Sequence, residues 1–326
     1  SGGTGNYTYE WNFGDPTLPT GREAVQTIEF PAGGTYSVTL TVNDGQSTPA
    51  TDTQQITVEG AADPGTSELV LNTPPISGVD NQRVGQLVRD GQSAGLNPLA
   101  FALIGDETAA STDFLDPYAQ SQPGQPFAPN APAVERLINI YNADGVNIDG
   151  AGANSFNRDS VAVGAFTAQQ LAEEAIACSN GESITRVACE FATINPAIVF
   201  ISIGYNDITG GTDATQFQGH LETIIQVALD RSIVPVVVTV YPVPGFEAQT
   251  SAINEAIITA GNNNNIPVIN MWRAFTDEGE LLDGNGNPTV APEGAGFLDA
   301  NSVTFGANQR NARIMEMLIR LEEAIS

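Results

Sequence analysis

Two carboxylates stand side by side at Asp106-Glu107, directly after the apolar run PLAFALIG. A third, Asp299, opens the segment Asp299-Ala300-Asn301-Ser302 late in the chain. Carboxylates gathered at a pocket mouth can carry glycoside chemistry or hold a divalent cation. Neither use has a diagnostic spacing here, and the plainer expectation is that Glu107 fills a pocket or salt-bridges within it. Thr108 and Ser111 follow closely as alternative nucleophiles, but no base is evident for them. The single histidine, His220 in FQGHLETII, falls in a helical pattern between strands and is expected on a surface. Asp283, Asn285 and Asn287 in DGNGNP begin like a calcium loop. Pro288 stands where that loop needs glycine and Gly294 where it needs glutamate, so a hairpin-like turn is expected instead. Calcium is the only cofactor left open, and no metal ligand set is assigned.

The balance of charge narrows the partners. There are 38 acidic residues against 11 basic ones, every one of them arginine, for a net charge of -27. No basic stripe is available to neutralise phosphates, so nucleic acid and anionic membranes are excluded as partners. A solvated soluble surface is the plain reading of this acidity, and calcium-dependent self-assembly is the sharper one. No run of about 18 apolar residues is present, so membrane insertion is not expected. No signal-peptide pattern is found, and Ser1-Gly2-Gly3 opens directly inside a domain pattern, as a mature or trimmed start would. Cys178 and Cys189 are the two cysteines, with Asn180-Gly181 as a turn signal between them. A local disulfide in an oxidising compartment is expected, two buried thiols being the alternative. Two cysteines and one histidine make a zinc site improbable.

The elements that position these residues begin after a separate module. Tyr7, Tyr9, Trp11 and Phe13 alternate with polar residues, which gives a strand with one aromatic face. TYSVTLTVND places Tyr36, Val38, Leu40 and Val42 on one side, and QQITVEG adds Ile56 and Val58. Turn residues at Pro31, Gly33-Gly34 and Asp44-Gly45 separate the strands, and the spacing predicts an all-β sandwich whose core holds the aromatic stripe. WNFGD followed by GGTYSVTLTVNDG is similar to the polycystic-kidney-disease (PKD) repeat. Asn12 stands where that family has its first Asp, and Pro16 where it has its last Gly. The resemblance covers residues 1–59 and implies an extracellular Ig-like spacer or adhesion module without catalysis. Residues 60–69 are expected to be a linker by composition.

From residue 70 the pattern changes. PLAFALIGD, DSVAVGAFT, PAIVFISIGYND, VPVVVTVYPVP and IPVINM are continuous apolar runs of the kind buried on both faces of a parallel sheet. TAQQLAEEAIA, FQGHLETIIQVALDRS, TSAINEAIITAGN and ANQRNARIMEMLIRLEEAIS have helical patterns. This alternation predicts a three-layer α/β/α sandwich with a mainly parallel sheet over 70–326. Ligand crevices in such folds lie at the carboxyl ends of strands, where Asp106, Gly164, Asn206 and Asp207 are found.

The order of these loop residues resembles the SGNH (GDSL-type) hydrolases over about residues 97–320. In that family the first strand ends in Gly-Asp-Ser, whose Ser is the nucleophile. A later Gly and the Asn of a G-x-N-D motif stabilise the oxyanion, and a final D-x-x-H supplies Asp and the His base. The G-x-N-D motif is intact here as Gly204-Tyr205-Asn206-Asp207, and Gly164 fits the second-block glycine. Glu107 stands at the Ser position and Ser302 at the His position. The resemblance therefore implies a pocket at Asp106, Glu107, Gly164, Gly204, Asn206, Asp299 and Ser302 with its oxyanion side kept and both proton-handling groups replaced. A carboxylate is a poor acyl nucleophile and Ser302 cannot take a proton near neutral pH. The expectation is an inactive secreted or cell-surface protein acting in structure, self-assembly, or binding of glycans or other cell-surface proteins. The alternative is an active esterase or carbohydrate deacetylase with a rearranged site.

Overall fold

The computed structural model describes residues 7–14, 18, 20–28, 34–46, 48–58, 66–119, 131–142, 153–276 and 281–325. The chain divides into two compact units, Ser1–Pro64 and Gly65–Ser326.

In the first unit β1 (Thr8–Asn12), β2 (Gly34–Asn43) and β3 (Ala50–Val58) form one antiparallel sheet with β2 in the middle. Trp11 pairs with Leu40 and Tyr36 with Ile56, so the apolar positions of neighbouring strands share a face. Phe13, Tyr36 and Val38 are buried together, and Trp11 stacks on Phe13 at a centroid distance of 6.3 Å. The expected core is smaller than its pattern. Tyr7 is 41% exposed and Ile56 42% exposed, because nothing among the described residues covers that face beyond the cluster. A second sheet, which a sandwich requires, is not formed by the described residues. The expected turn residues Pro31 and Gly33, and residues 60–65 of the expected linker, lie outside them.

The second unit opens with α1 (Glu68–Asn72), which starts within the stretch expected to be linker. β4 (Ile76–Ser77), α2 (Asn81–Ser93), β5 (Asn97–Gly105) and α3 (Ala131–Tyr141) follow. Then come α4 (Ala168–Glu173), β6 (Ala175–Ala177), β7 (Ser183–Thr185), α5 (Arg186–Ile194), β8 (Pro196–Ser202), α6 (Tyr205–Gly210) and α7 (Ala214–Leu229). β9 (Val234–Val238), α8 (Glu247–Asn264), β10 (Val268–Ile269), α9 (Met271–Thr276) and α10 (Gly306–Ile325) complete it. The main sheet has the order β4-β10-β9-β8-β5, parallel except for β4 at one edge.

Strand residues alternate between two cores. Ile198 and Phe200 of β8 pack with α2, α3 and α10, whereas Val199 and Ile201 pack with α5, α7 and α8. Each fully buried side chain of this size contributes roughly 1.5–3 kcal/mol over exposure, which is why the strands read as unbroken apolar runs. The result is a three-layer α/β fold, with helices on both faces of a mixed, mostly parallel sheet.

Two expected elements differ. DSVAVGAFT is a loop that touches the sheet through one parallel bridge, Gly105 to Val163. Val161 is 40% exposed, and local turns consume the backbone donors that a longer ladder would need. The helix expected through Ala177 ends at Glu173, and β6 instead pairs antiparallel with β7. Gly181 at φ +85° makes the tight turn, and a disulfide from Cys178 to Cys189 ties this hairpin to α5.

Candidate functional site

β5 carries Asp106 and Glu107 to the carboxyl edge of the sheet. Gly105 permits the close approach of β8, since a Cβ there would lie 1.9 Å from the Ser202 carbonyl oxygen. Asp106 is buried and serves as an anchor. Its Oδ1 accepts from the Thr108 backbone N at 3.0 Å and from Thr108 Oγ1 at 2.6 Å. Its Oδ2 accepts from Tyr205 N at 2.8 Å, joining β5 to the start of α6. Burial raises the Asp106 pKa above the usual carboxylate range, against these hydrogen bonds and the field of Arg310.

Gly204 precedes α6 with φ +135°, and a Cβ would meet Ile253 Cγ2 and Val240 Cγ2 at 3.0 Å. That conformation aims Asn206 back across the strand end. Asn206 Nδ2 donates to Glu107 Oε2 at 2.7 Å and to the Phe166 carbonyl at 3.2 Å. Asp207 is buried and its Oδ2 accepts from Ala168 N at 3.0 Å, which fixes the first turn of α4. Burial raises the Asp207 pKa also.

The expected pocket is therefore assembled on one side, with a different state from the one expected. Asn206 is present but its amide is held by Glu107. The Gly164 backbone N donates to the Gly105 carbonyl at 3.3 Å. Both groups expected to stabilise an oxyanion are engaged within the protein, because the loop at Gly164 closes against β5.

Asp299 and Ser302 form a pair of their own. Ser302 is buried, and its Oγ donates to Asp299 Oδ2 at 2.7 Å, while Ser302 N and Asn301 N donate to Oδ1. The Ser302 hydroxyl, with its backbone N–H, holds the Asp299 pKa below the usual value. Neither residue lines the cavity described next.

A cavity of about 370 Å³ is lined by Glu107, Thr108, Ser111, Asp113, Phe114, Tyr205, Tyr241, Asn287, Pro288, Ala307 and Arg310. Asp113, Phe114, Tyr241, Ala307 and Arg310 are not among the candidate site residues named from the sequence. Arg310 is buried, donates Nη1 to the Thr108 carbonyl at 3.0 Å and lies over the Phe114 ring at 4.1 Å. Burial depresses its pKa. Tyr241 is pushed up to about 12 by burial, against the field of Arg310. The signal in sequence is the polar run Asn308-Gln309-Arg310-Asn311 at the start of an otherwise amphipathic helix. All four are buried in α10: Asn308 Oδ1 accepts from Ala291 N, and Asn311 ties Leu115 N, the Asp113 carbonyl and the Ala295 carbonyl together.

The remaining candidates are elsewhere. His220 lies on α7 with Nδ1 3.5 Å from Glu173 Oε1, and does not line the cavity. Asp283 Oδ1 accepts from Asn285 N at 2.8 Å and Asn287 N at 2.9 Å, closing a hairpin-like turn bridged by Leu282 and Pro288. Its carboxylate thus organises backbone. Among the described residues no cluster of three or more acidic, His or Cys side chains is placed to hold a metal.

The chain's similarities follow this division. The PKD domain family matches residues 1–58, and the GDSL-like lipase/acylhydrolase family matches residues 143–296. The second match contains Gly164 and Gly204–Asp207 but neither Asp106–Glu107 nor Asp299–Ser302. No curated protein matches the chain. Among solved structures, a carbohydrate esterase family 3 protein from Talaromyces cellulolyticus is 16% identical, covering 70% of this chain and 99% of its own, with a TM-score of 0.43. A GDSL-like lipase from Bacteroides thetaiotaomicron is 14% identical, covering 74% of this chain and 99% of its own, with a TM-score of 0.38.

Proposed function

We propose that this chain, a PKD domain followed by a GDSL-like hydrolase domain, is a non-catalytic extracellular or cell-surface protein that uses its hydrolase-type pocket to bind a ligand. The first unit acts as the Ig-like sandwich spacer. The observation that carries this reading is the Glu107–Asn206 bond of 2.7 Å. A carboxylate stands where acyl transfer needs a nucleophile and occupies the amide that would otherwise stabilise an oxyanion. Ser302, at the position of the base, has no basic nitrogen to accept a proton. Losing either member of such a unit is already severe, because the members act together. The PKD match and the disulfide support an extracellular setting, and no helix among the described residues is long and apolar enough to cross a membrane.

The test is hydrolysis of p-nitrophenyl acetate and an acetylated saccharide by the purified chain. Rates at the uncatalysed background are expected. Turnover well above it that disappears in Asn206→Ala would establish the rival reading, an esterase or carbohydrate deacetylase with a rearranged site. Self-assembly with or without calcium is read separately, by size-exclusion chromatography in calcium and in chelator.

A further inference from the structure

The cavity beside Glu107 has an electrostatic arrangement that hydrolysis does not require. Arg310 is 5% exposed and lines it. Among the described residues its guanidinium makes one hydrogen bond, from Nη1 to the Thr108 carbonyl, and its Cζ lies over the Phe114 and Tyr241 rings. Among the described residues it forms no ion pair. A buried charge without a counter-ion is costly, and a guanidinium has five N–H donors in a fork matched to a carboxylate. Asp106 contributes a field to Arg310 but forms no ion pair with it.

The same cavity carries the opposite charge on exposed groups. Glu107 and Asp113 line it, and neither forms an ion pair among the described residues. A simple anion would be drawn to Arg310 but repelled by these two carboxylates and by the net charge of -27. A simple cation would leave Arg310 unanswered. The volume of about 370 Å³ is at the low end for small-molecule pockets.

We propose that the cavity binds a small zwitterion of the amino-acid type, with its carboxylate on the buried Arg310 and its ammonium on Glu107 and Asp113. This deepens the ligand-binding reading above and rests on it. One ligand then satisfies the buried cation and the acidic rim together, and the aromatic side chain of Tyr205 contributes apolar wall.

The experiment is calorimetric titration of the full chain with glycine, γ-aminobutyrate and ε-aminohexanoate, against acetate, butyrate and butylamine. At least one amino acid is expected to bind, with the matched carboxylate and amine weaker by about tenfold or more, as the loss of a charge-assisted hydrogen bond implies. Asp113→Asn should weaken the amino acid severalfold. Arg310→Gln, checked for folding by circular dichroism, should abolish binding. Absence of binding by all three amino acids overturns the proposal, as does butyrate binding as tightly as γ-aminobutyrate. Retained affinity in folded Arg310→Gln overturns it too. If that variant does not fold, the ligand series on the unmodified chain decides alone. Ester turnover would sink the non-catalytic reading without touching this result, and failure of the titration would leave the hydrolysis result standing.

Discussion

The two sides of the candidate site are held in different ways. Asp106 and Glu107 reach residues far along the chain, with Tyr205 N on Asp106 Oδ2 and Asn206 Nδ2 on Glu107 Oε2. Asp299 and Ser302 hold each other across three residues. The first side exists only because β5 and β8 lie adjacent and end together. The second would persist in any loop of that conformation. Substitutions on the first side should therefore cost the fold more than those on the second.

The strongest test of that contrast is Asp106→Ala. It strands the partly buried backbone N–H groups of Thr108 and Tyr205, and each unsatisfied buried donor costs up to about 1–3 kcal/mol. A loss of about 2–4 kcal/mol is expected, read as a lower urea midpoint with unchanged slope. A loss below about 1 kcal/mol would show that the strand ends are joined without this carboxylate.

The same contrast explains what was legible in the sequence. PAIVFIS and VPVVV are buried on both faces, so their hydropathy alone marks them as inner strands. GYND was legible because its glycine is forced by backbone geometry and its Asp by the start of α4. Arg310 was not, since its burial depends on Phe114 and Tyr241, which are remote in sequence. DSVAVGAFT misled because an apolar run does not record whether both faces are covered, and Val161 is open to solvent. The helix at Ala168 stops short because Cys178 is drawn to α5, a constraint that periodicity cannot see. The state of Asn206 and Gly164 was illegible for a related reason: residue type shows that they are present, not that Glu107 and the Gly105 carbonyl already engage them.

On the local side, Ser302→Ala removes one buried hydroxyl and should cost about 1 kcal/mol. Its pH dependence gives the sharper reading. The Asp299 pKa is depressed from 3.8, first by the Ser302 hydroxyl and then by the Ser302 backbone N–H. A depressed carboxylate stabilises the fold above its unfolded pKa, and that stabilisation is lost as pH falls through the lower folded value. The stability difference between the parent chain and Ser302→Ala should thus be constant near neutrality and shrink below pH 3.8. An NMR titration should find the Asp299 carboxyl pKa raised in the variant. An unchanged value would mean that the backbone donors, and not the hydroxyl, set it.

The smallest effect separates chain span from burial as the source of strength. Glu107 reaches Asn206 across the same strand ends that Asp106 joins, yet its carboxylate is exposed. An exposed charge-assisted contact is screened and worth about 0.5 kcal/mol or less. Asn206 Nδ2 also keeps the Phe166 carbonyl when Glu107 is removed. Glu107→Ala should therefore shift the urea midpoint barely at all while moving the Asn206 side-chain amide resonance. It should add no ester turnover, because Gly164 N–H remains on the Gly105 carbonyl and no basic nitrogen stands at position 302. A stability loss comparable to that of Asp106→Ala would mean that the connection between β5 and α6, rather than burial, carries the energy.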